Sequence, residues 1–112
     1  MIRSLLPSDF DVMLKVINDA AQAYKGVIPD DRWKEPYMSA EELKEEIEAG
    51  VRFFGWVEGG HLLGVAGIQA LKDTTLIRHV YVLPGCQRKG IGRRLLDYLM
   101  GLAETPEVLV GT

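Results

Sequence analysis

Leu76-Ile77-Arg78-His79-Val80-Tyr81-Val82-Leu83-Pro84-Gly85-Cys86-Gln87-Arg88-Lys89-Gly90-Ile91-Gly92 carries the chain from an apolar, β-branched run into a glycine turn, and from there into a helix-like run extending from Ile91 to Ala103. A strand of this kind delivers backbone to one edge of a sheet, and glycines let it turn tightly with little side-chain obstruction. The helix that follows begins with unpaired N–H groups and the positive end of its dipole, so the turn reads as a phosphate-binding one. Arg88, Lys89, Arg93 and Arg94 surround it in a chain whose formal net charge is -3. The positive charge is therefore local, which points to a small anionic ligand. A plain helix start with surface cations is the bland alternative, and for Arg94, a turn beyond the glycines, it is the better reading.

Working outward, the pattern upstream is β then α. Ile2 to Leu6 is a short apolar strand ended by Pro7, after which Ser8 or Asp9 is placed to cap a helix. Phe10, Met13, Leu14, Ile17, Ala20, Ala21 and Tyr24 recur at helical spacing and form one apolar stripe. Gly26 and Pro29 break that period, and the loop that follows holds Trp33, Pro36 and Tyr37. Ser39-Ala40-Glu41-Glu42 matches a capping box for a second, mostly charged helix, whose buried edge is expected to be Leu43 and Ile47 and which Gly50 ends. Val51 to Glu58 and His61 to Leu71 then read as strands joined by the two-residue turn Gly59-Gly60, and Leu76 to Leu83 as the next strand of the meander. In that strand, simple alternation puts Ile77, His79, Tyr81 and Leu83 on one face and Arg78, Val80 and Val82 on the other. Ile91, Leu95, Tyr98, Leu99 and Leu102 make the apolar face of a third helix, and Glu107 to Thr112 opens a further strand. The order β-α-α-β-β-β-α-β predicts an α+β fold on one mixed, mostly antiparallel sheet, with residues 1–112 forming a single domain.

Bulk composition narrows the function classes. A net charge of -3 argues against a nucleic-acid partner or a membrane-surface helix, both of which need a broad basic face. No apolar run approaches the ~20 residues of a bilayer span, and Met1-Ile2-Arg3-Ser4 followed by Pro7 lacks a signal-peptide layout, so a cytoplasmic location is expected. One cysteine, Cys86, cannot form an internal disulfide or, with His61 and His79, a zinc cluster, so no metal is expected.

Three phosphate motifs compete for the turn. Gly85-Cys86-Gln87-Arg88-Lys89-Gly90 has the glycine spacing of a Walker A loop, but Ile91-Gly92 stands where that motif needs Lys and Ser or Thr. Gly85, Gly90 and Gly92 do not fit the intervals of a dinucleotide fingerprint, and the strand before them belongs to an antiparallel meander. Gln87-x-x-Gly90-x-Gly92 after an aliphatic strand, opening an amphipathic helix and preceded by two helices and a hairpin, resembles the GNAT superfamily of acyl-CoA-dependent N-acyltransferases. The lead-in Val80-Tyr81-Val82-Leu83-Pro84, Asp9-Phe10 before the first helix, the Gly50 stop and Gly64 in the hairpin extend the resemblance over nearly the whole chain.

The resemblance implies acetyl-CoA as acyl donor and a small-molecule or protein amine as acceptor. It implies that Gln87 opens the motif and that backbone N–H groups of Arg88, Lys89, Gly90, Ile91, Gly92 and Arg93 hold the pyrophosphate. Val80, Tyr81 and Val82 would pair with the pantetheine arm, and Trp33 and Tyr37 would line the acceptor pocket. Direct transfer in such enzymes leaves the protein to position the partners and manage protons. An amine is largely protonated at neutral pH, with a pKa of ~10.4 for a lysine-type group, so a base is needed. His79 precedes the pantetheine-pairing segment and, with an unperturbed pKa of ~6.5, is the candidate general base; a non-catalytic, half-exposed strand histidine is the alternative. Cys86 has no sequence-adjacent histidine to activate its thiol, and Glu58, beside the hairpin turn, reads as a solvated charge.

One departure stands out. Similar enzymes continue past the fifth strand with another helix and two strands, and a tyrosine of that helix often protonates the leaving thiolate. The expectation is a C-terminally truncated domain, with dimerisation through the open sheet edge covering its apolar side. A non-catalytic acyl-CoA-binding or interaction module is the alternative function.

Overall fold

The computed structural model describes residues 1–22, 36–86 and 89–111. Its strands are β1 (Ile2–Ser4), β2 (Arg52–Glu58), β3 (His61–Ala70), β4 (Thr74–Val82) and β5 (Glu107–Val110), and its helices α1 (Phe10–Ala21), α2 (Ala40–Glu48) and α3 (Ile91–Leu102). The strands form one sheet in the order β1-β2-β3-β4-β5. The first four are antiparallel neighbours, and β5 joins β4 in parallel. The α+β architecture and its element order are those expected from the sequence.

A 3₁₀ turn at Pro7–Asp9 precedes α1. The Asp9 carboxylate does not cap α1. It accepts hydrogen bonds from Arg3 Nη1 and Nη2 (2.9 and 3.0 Å) and from the Leu6 backbone N–H (2.7 Å), which together hold its pKa at about 2. At α2 the expected capping box is present: Glu42 N–H donates to Ser39 Oγ (3.1 Å) and Ser39 N–H to Glu42 Oε1 (3.4 Å). The other end of α2 closes on Gly50 at φ 102, with Gly50 N–H donating to Ile47 O and Val51 N–H to Glu46 O. That pair of bonds is a Schellman closure, which favours a residue without Cβ at the left-handed position.

The sheet carries a core on each face. Met13, Ile17 and Ala20 of α1 and Leu43 of α2 pack on Phe53, Val65 and Tyr81. Ile91, Leu95 and Leu99 of α3 pack on Phe54, Ala66, Ile68 and Ile77 across the sheet. Ile47, expected to share the buried edge of α2, is 41% exposed, while Leu43 is fully buried. At i+4 from Leu43 the turn of the helix carries Ile47 past the contact line, so a single leucine docks this mostly charged helix. The Asn18 side chain ties the segment before α2 back to α1, donating to Met38 O (2.9 Å) and Leu14 O (3.0 Å) and accepting from Met38 N–H (2.8 Å).

At Gly64 of β3 a Cβ would stand 3.2 Å from Ile91 Cγ2, Leu95 Cδ1 and Tyr81 O. The bare backbone there lets α3 lie on the sheet next to the end of β4. Leu43→Ala is expected to cost about 2–5 kcal/mol in urea unfolding. Ile47→Ala is expected to change stability by less than about 0.5 kcal/mol in the same measurement. Equal losses at both positions would restore the two-residue edge.

Candidate functional site

Beyond β4 the pairing continues for one residue, with Leu83 N–H donating to Leu63 O (2.9 Å). Gly85 then turns at φ 82, Cys86 N–H donates to Leu83 O (3.0 Å), and Lys89 N–H donates to Cys86 O (3.3 Å). Gly90 stands at the α3 N-cap in the left-handed region, φ 73, with no side-chain cap on the helix. The first helical bond back to it comes from Arg94 N–H at 3.0 Å. The amides of Ile91, Gly92 and Arg93 are therefore those of the first turn, which have no acceptor within the helix. A Cβ on Gly90 would meet no atom within 4 Å, so the space beside the cap is open.

This turn abuts the end of β4. A Cβ on Gly92 would stand 3.4 Å from Val82 Cγ2 and 4.0 Å from Val80 Cγ1. Lys89 to Arg93 and Val80 to Val82, separated in sequence by the turn, thus share one corner of the fold, while Gln87 and Arg88 lie outside the described residues. The basic side chains contribute less to that corner than their sequence positions promise. Arg94 lies over the Trp56 ring, 5.5 Å from its centroid, and Arg93 Nε sits 3.5 Å from Asp97 Oδ1.

Strand β4 does not alternate as expected. Val65 pairs with Tyr81 and Gly67 with Arg78, so Ala66 alone faces both His79 and Val80. This is a β-bulge, and His79 takes its left-handed position at φ 59. The extra residue reverses the parity of the strand beyond it. Ile77, Val80 and Val82 pack on the α3 face, while Tyr81 and Leu83 pack on the α1 face. His79 goes with the latter, its ring 6.0 Å from Phe53 and 6.4 Å from Tyr81, centroid to centroid. Parallel pairing of β4 with β5 runs from Thr74–Glu107 to Ile77–Val110, with Gly111 N–H donating to Ile77 O (2.8 Å).

The His79 side chain is only 12% exposed, not half-exposed, and its Nε2 is buried without a hydrogen-bond partner. Glu46 Oε2 lies 3.5 Å from that nitrogen and 3.8 Å from Arg78 Nη1. Burial pushes the imidazole below its ordinary range, Glu46 pulls it back up, and Arg78 pushes it down. Beside the ring, Tyr81 donates a hydrogen bond to Tyr37 Oη (2.9 Å), and the two rings meet edge to face. Tyr37, named from the sequence for the acceptor side, is thereby joined to β4. Trp33 lies outside the described residues.

Glu46 is the group that sequence reasoning missed. It was one charge among many on a polar helix, and only its i+3 spacing from the buried Leu43 hinted that it faces inward. A separate apolar cavity of about 650 Å³ lies between Phe10, Met13, Ile47 and Phe53, away from the glycine turn. Among the described residues no group of three or more His, Cys, Asp or Glu could hold a metal ion, and no helix is long and apolar enough to cross a membrane.

The proton linkage of His79 has a definite sign. Its pKa is depressed in the fold, so between its unfolded value of ~6.5 and the lower folded value the unfolded chain binds the proton first. Stability should therefore fall as pH drops below about 6.5. Urea midpoints measured between neutral and mildly acidic pH should decline less in His79→Asn, a substitution that tolerates the left-handed backbone. Identical declines in both proteins would show the ring to be unperturbed.

The sequence model of the Acetyltransferase (GNAT) family matches residues 14–109. Solved structures share the fold. The PaiA N-acetyltransferase from Thermoplasma acidophilum, in complex with coenzyme A, is 23% identical with a TM-score of 0.74, over 91% of this chain and 70% of that one. A GNAT family acetyltransferase from Brucella melitensis, in complex with acetyl-CoA, is 20% identical with a TM-score of 0.79, over 100% of this chain and 75% of its own. An aminoglycoside acetyltransferase from an uncultured soil metagenomic sample, in complex with sisomicin, is 17% identical with a TM-score of 0.73, over 100% of this chain and 76% of its own.

Proposed function

We propose that this chain, which belongs to the GNAT acetyltransferase family, moves an acetyl group from acetyl-CoA to a primary amine by direct transfer. The observation that carries the reading is the corner where an uncapped helix start abuts the bulged end of β4, with the His79 ring on the opposite face of that strand. The residues present fit the donor. The amides of Lys89 to Arg93, together with those of Arg88 next to them in sequence, would hold its pyrophosphate, with Gln87 opening the motif. Val80 to Val82, at the end of β4 beside the helix start, would pair with its pantetheine arm. When bound, acetyl-CoA supplies a thioester carbonyl for attack.

The chain's own residues have two tasks. The first is to bind the anion, and here backbone should outweigh side chains. A hydrogen bond to a charged group is worth ~1.5–3 kcal/mol and the helix dipole adds about 0.3–1, whereas an exposed cation contributes ~0–1 after screening. Arg94, occupied on Trp56, adds nothing specific.

The second task is to take a proton from the amine. Burial keeps His79 neutral at physiological pH, so its ring is free to accept. The bulge fixes the ring's place on the α1–α2 face, and Tyr37, with Trp33 from the preceding segment, would line the acceptor side there. A histidine held at φ 59, where glycine is the unstrained choice, is a cost of about 1–2 kcal/mol that a useful side chain would justify.

Titration calorimetry with CoA separates the contributions. Gly90→Val, which forces a β-branched residue into the left-handed cap, is expected to abolish binding, and Arg94→Ala to leave it within about twofold. Equal losses would mean that side-chain charge carries the site. Thiol release from acetyl-CoA across an amine panel then tests the chemistry: His79→Asn should lose about 10²-fold or more in turnover with CoA affinity intact. Tight CoA binding with no thiol release from the unaltered chain would favour a non-catalytic acyl-CoA-binding module.

A further inference from the structure

Glu46 projects from the one helix docked by a single leucine, yet its carboxylate reaches the most confined titratable group near the corner. Among the described residues, the charged or titratable groups facing the His79 ring are Glu46 from α2, Arg78 from its own strand and the Tyr81 phenol. Phe53 of β2 covers the ring and carries no charge. A sealed ring nitrogen without a partner is costly, and among the described residues the carboxylate near Nε2 is that of Glu46, with Oε2 at 3.5 Å. A shift of about 0.5 Å makes that contact an ordinary hydrogen bond.

We infer that Glu46 is a positioning residue for His79: it keeps the neutral ring protonated on Nε2 and leaves Nδ1 as the nitrogen that receives the amine's proton. The inference rests on the proposed role of His79 as base. In the step, one N–H bond of the substrate ammonium breaks and an Nδ1–H bond forms, while the electron pair stays on the amine nitrogen for attack on the thioester carbonyl. The Nε2 proton remains in place, and the imidazolium is held against the Glu46 carboxylate. Arg78, 3.8 Å from the same oxygen, competes for it and limits how basic the ring becomes. The residue acts through His79 and touches no reacting atom.

Nitrogen NMR of the His79 ring across a pH titration tests this without requiring turnover. The neutral ring of the unaltered protein should carry its proton on Nε2, and Glu46→Gln should lower the titration midpoint by about one unit or more, with Glu46→Asp recovering part of the shift. In kinetics, the acid limb of kcat/KM should move with the NMR midpoint. A neutral ring protonated on Nδ1, or an unmoved midpoint in Glu46→Gln, overturns the inference. If that happens while His79→Asn is inactive, the base assignment survives and Glu46 alone fails. A moved midpoint with an unmoved acid limb and an active His79→Asn overturns both.

Discussion

Between Arg78 and Tyr81, β4 spends two residues where β3 spends one, and the arrangement of the corner depends on that mismatch. Without the extra residue, continued alternation would put Tyr81 on the α3 side with Ile77 and leave Val80 and Val82 facing α1. With it, the two valines seat the first turn of α3, and His79 and Tyr81 face α1 and α2. One local break in the ladder thus sets which residues of β4 face the helix start and which face α1 and α2.

That break sets the electrostatics as well. A histidine turned into the space between Phe53 and Tyr81 loses water, which disfavours its charged form, and the nearby Glu46 carboxylate works against that loss. Charge on the far side of the sheet is handled differently. Of the cations flanking the glycine turn, Arg94 is engaged with Trp56 and Arg93 lies near Asp97, so in the proposed donor site the anion would be held by backbone amides and the helix dipole. Such amides are fixed by φ and ψ, so in the proposed site the left-handed Gly90 would matter more than the arginines around it.

Much of this was legible in the sequence. Helical spacing gave α1 and α3, Ser39 with Glu42 marked the start of α2, and Gly59-Gly60 fixed the β2–β3 hairpin, since each signal is local and owes little to tertiary context. The glycine turn was legible for the same reason, and its position after a fourth strand carried the family resemblance. The parity of β4 was not, because alternation assumes an unbroken ladder and a histidine in the left-handed region leaves no mark in composition. Glu46 was hidden among the like charges of its helix, and Ile47 was misplaced because a helix so polar needs only one anchor. Ser8 and Asp9 are equally placed in sequence to cap α1, but the Arg3 guanidinium and the Leu6 N–H hold the Asp9 carboxylate elsewhere, a contact that local sequence does not mark.

In the proposed complex the donor lies on the backbone of the glycine turn and along the bulged end of β4. Amide chemical shifts followed through a titration with CoA report on that surface residue by residue. The largest changes should fall on Gly90, Ile91, Gly92 and Arg93 and along Val80 to Val82. Changes confined to the residues around the Phe10–Phe53 cavity, with the glycine turn unmoved, would contradict it.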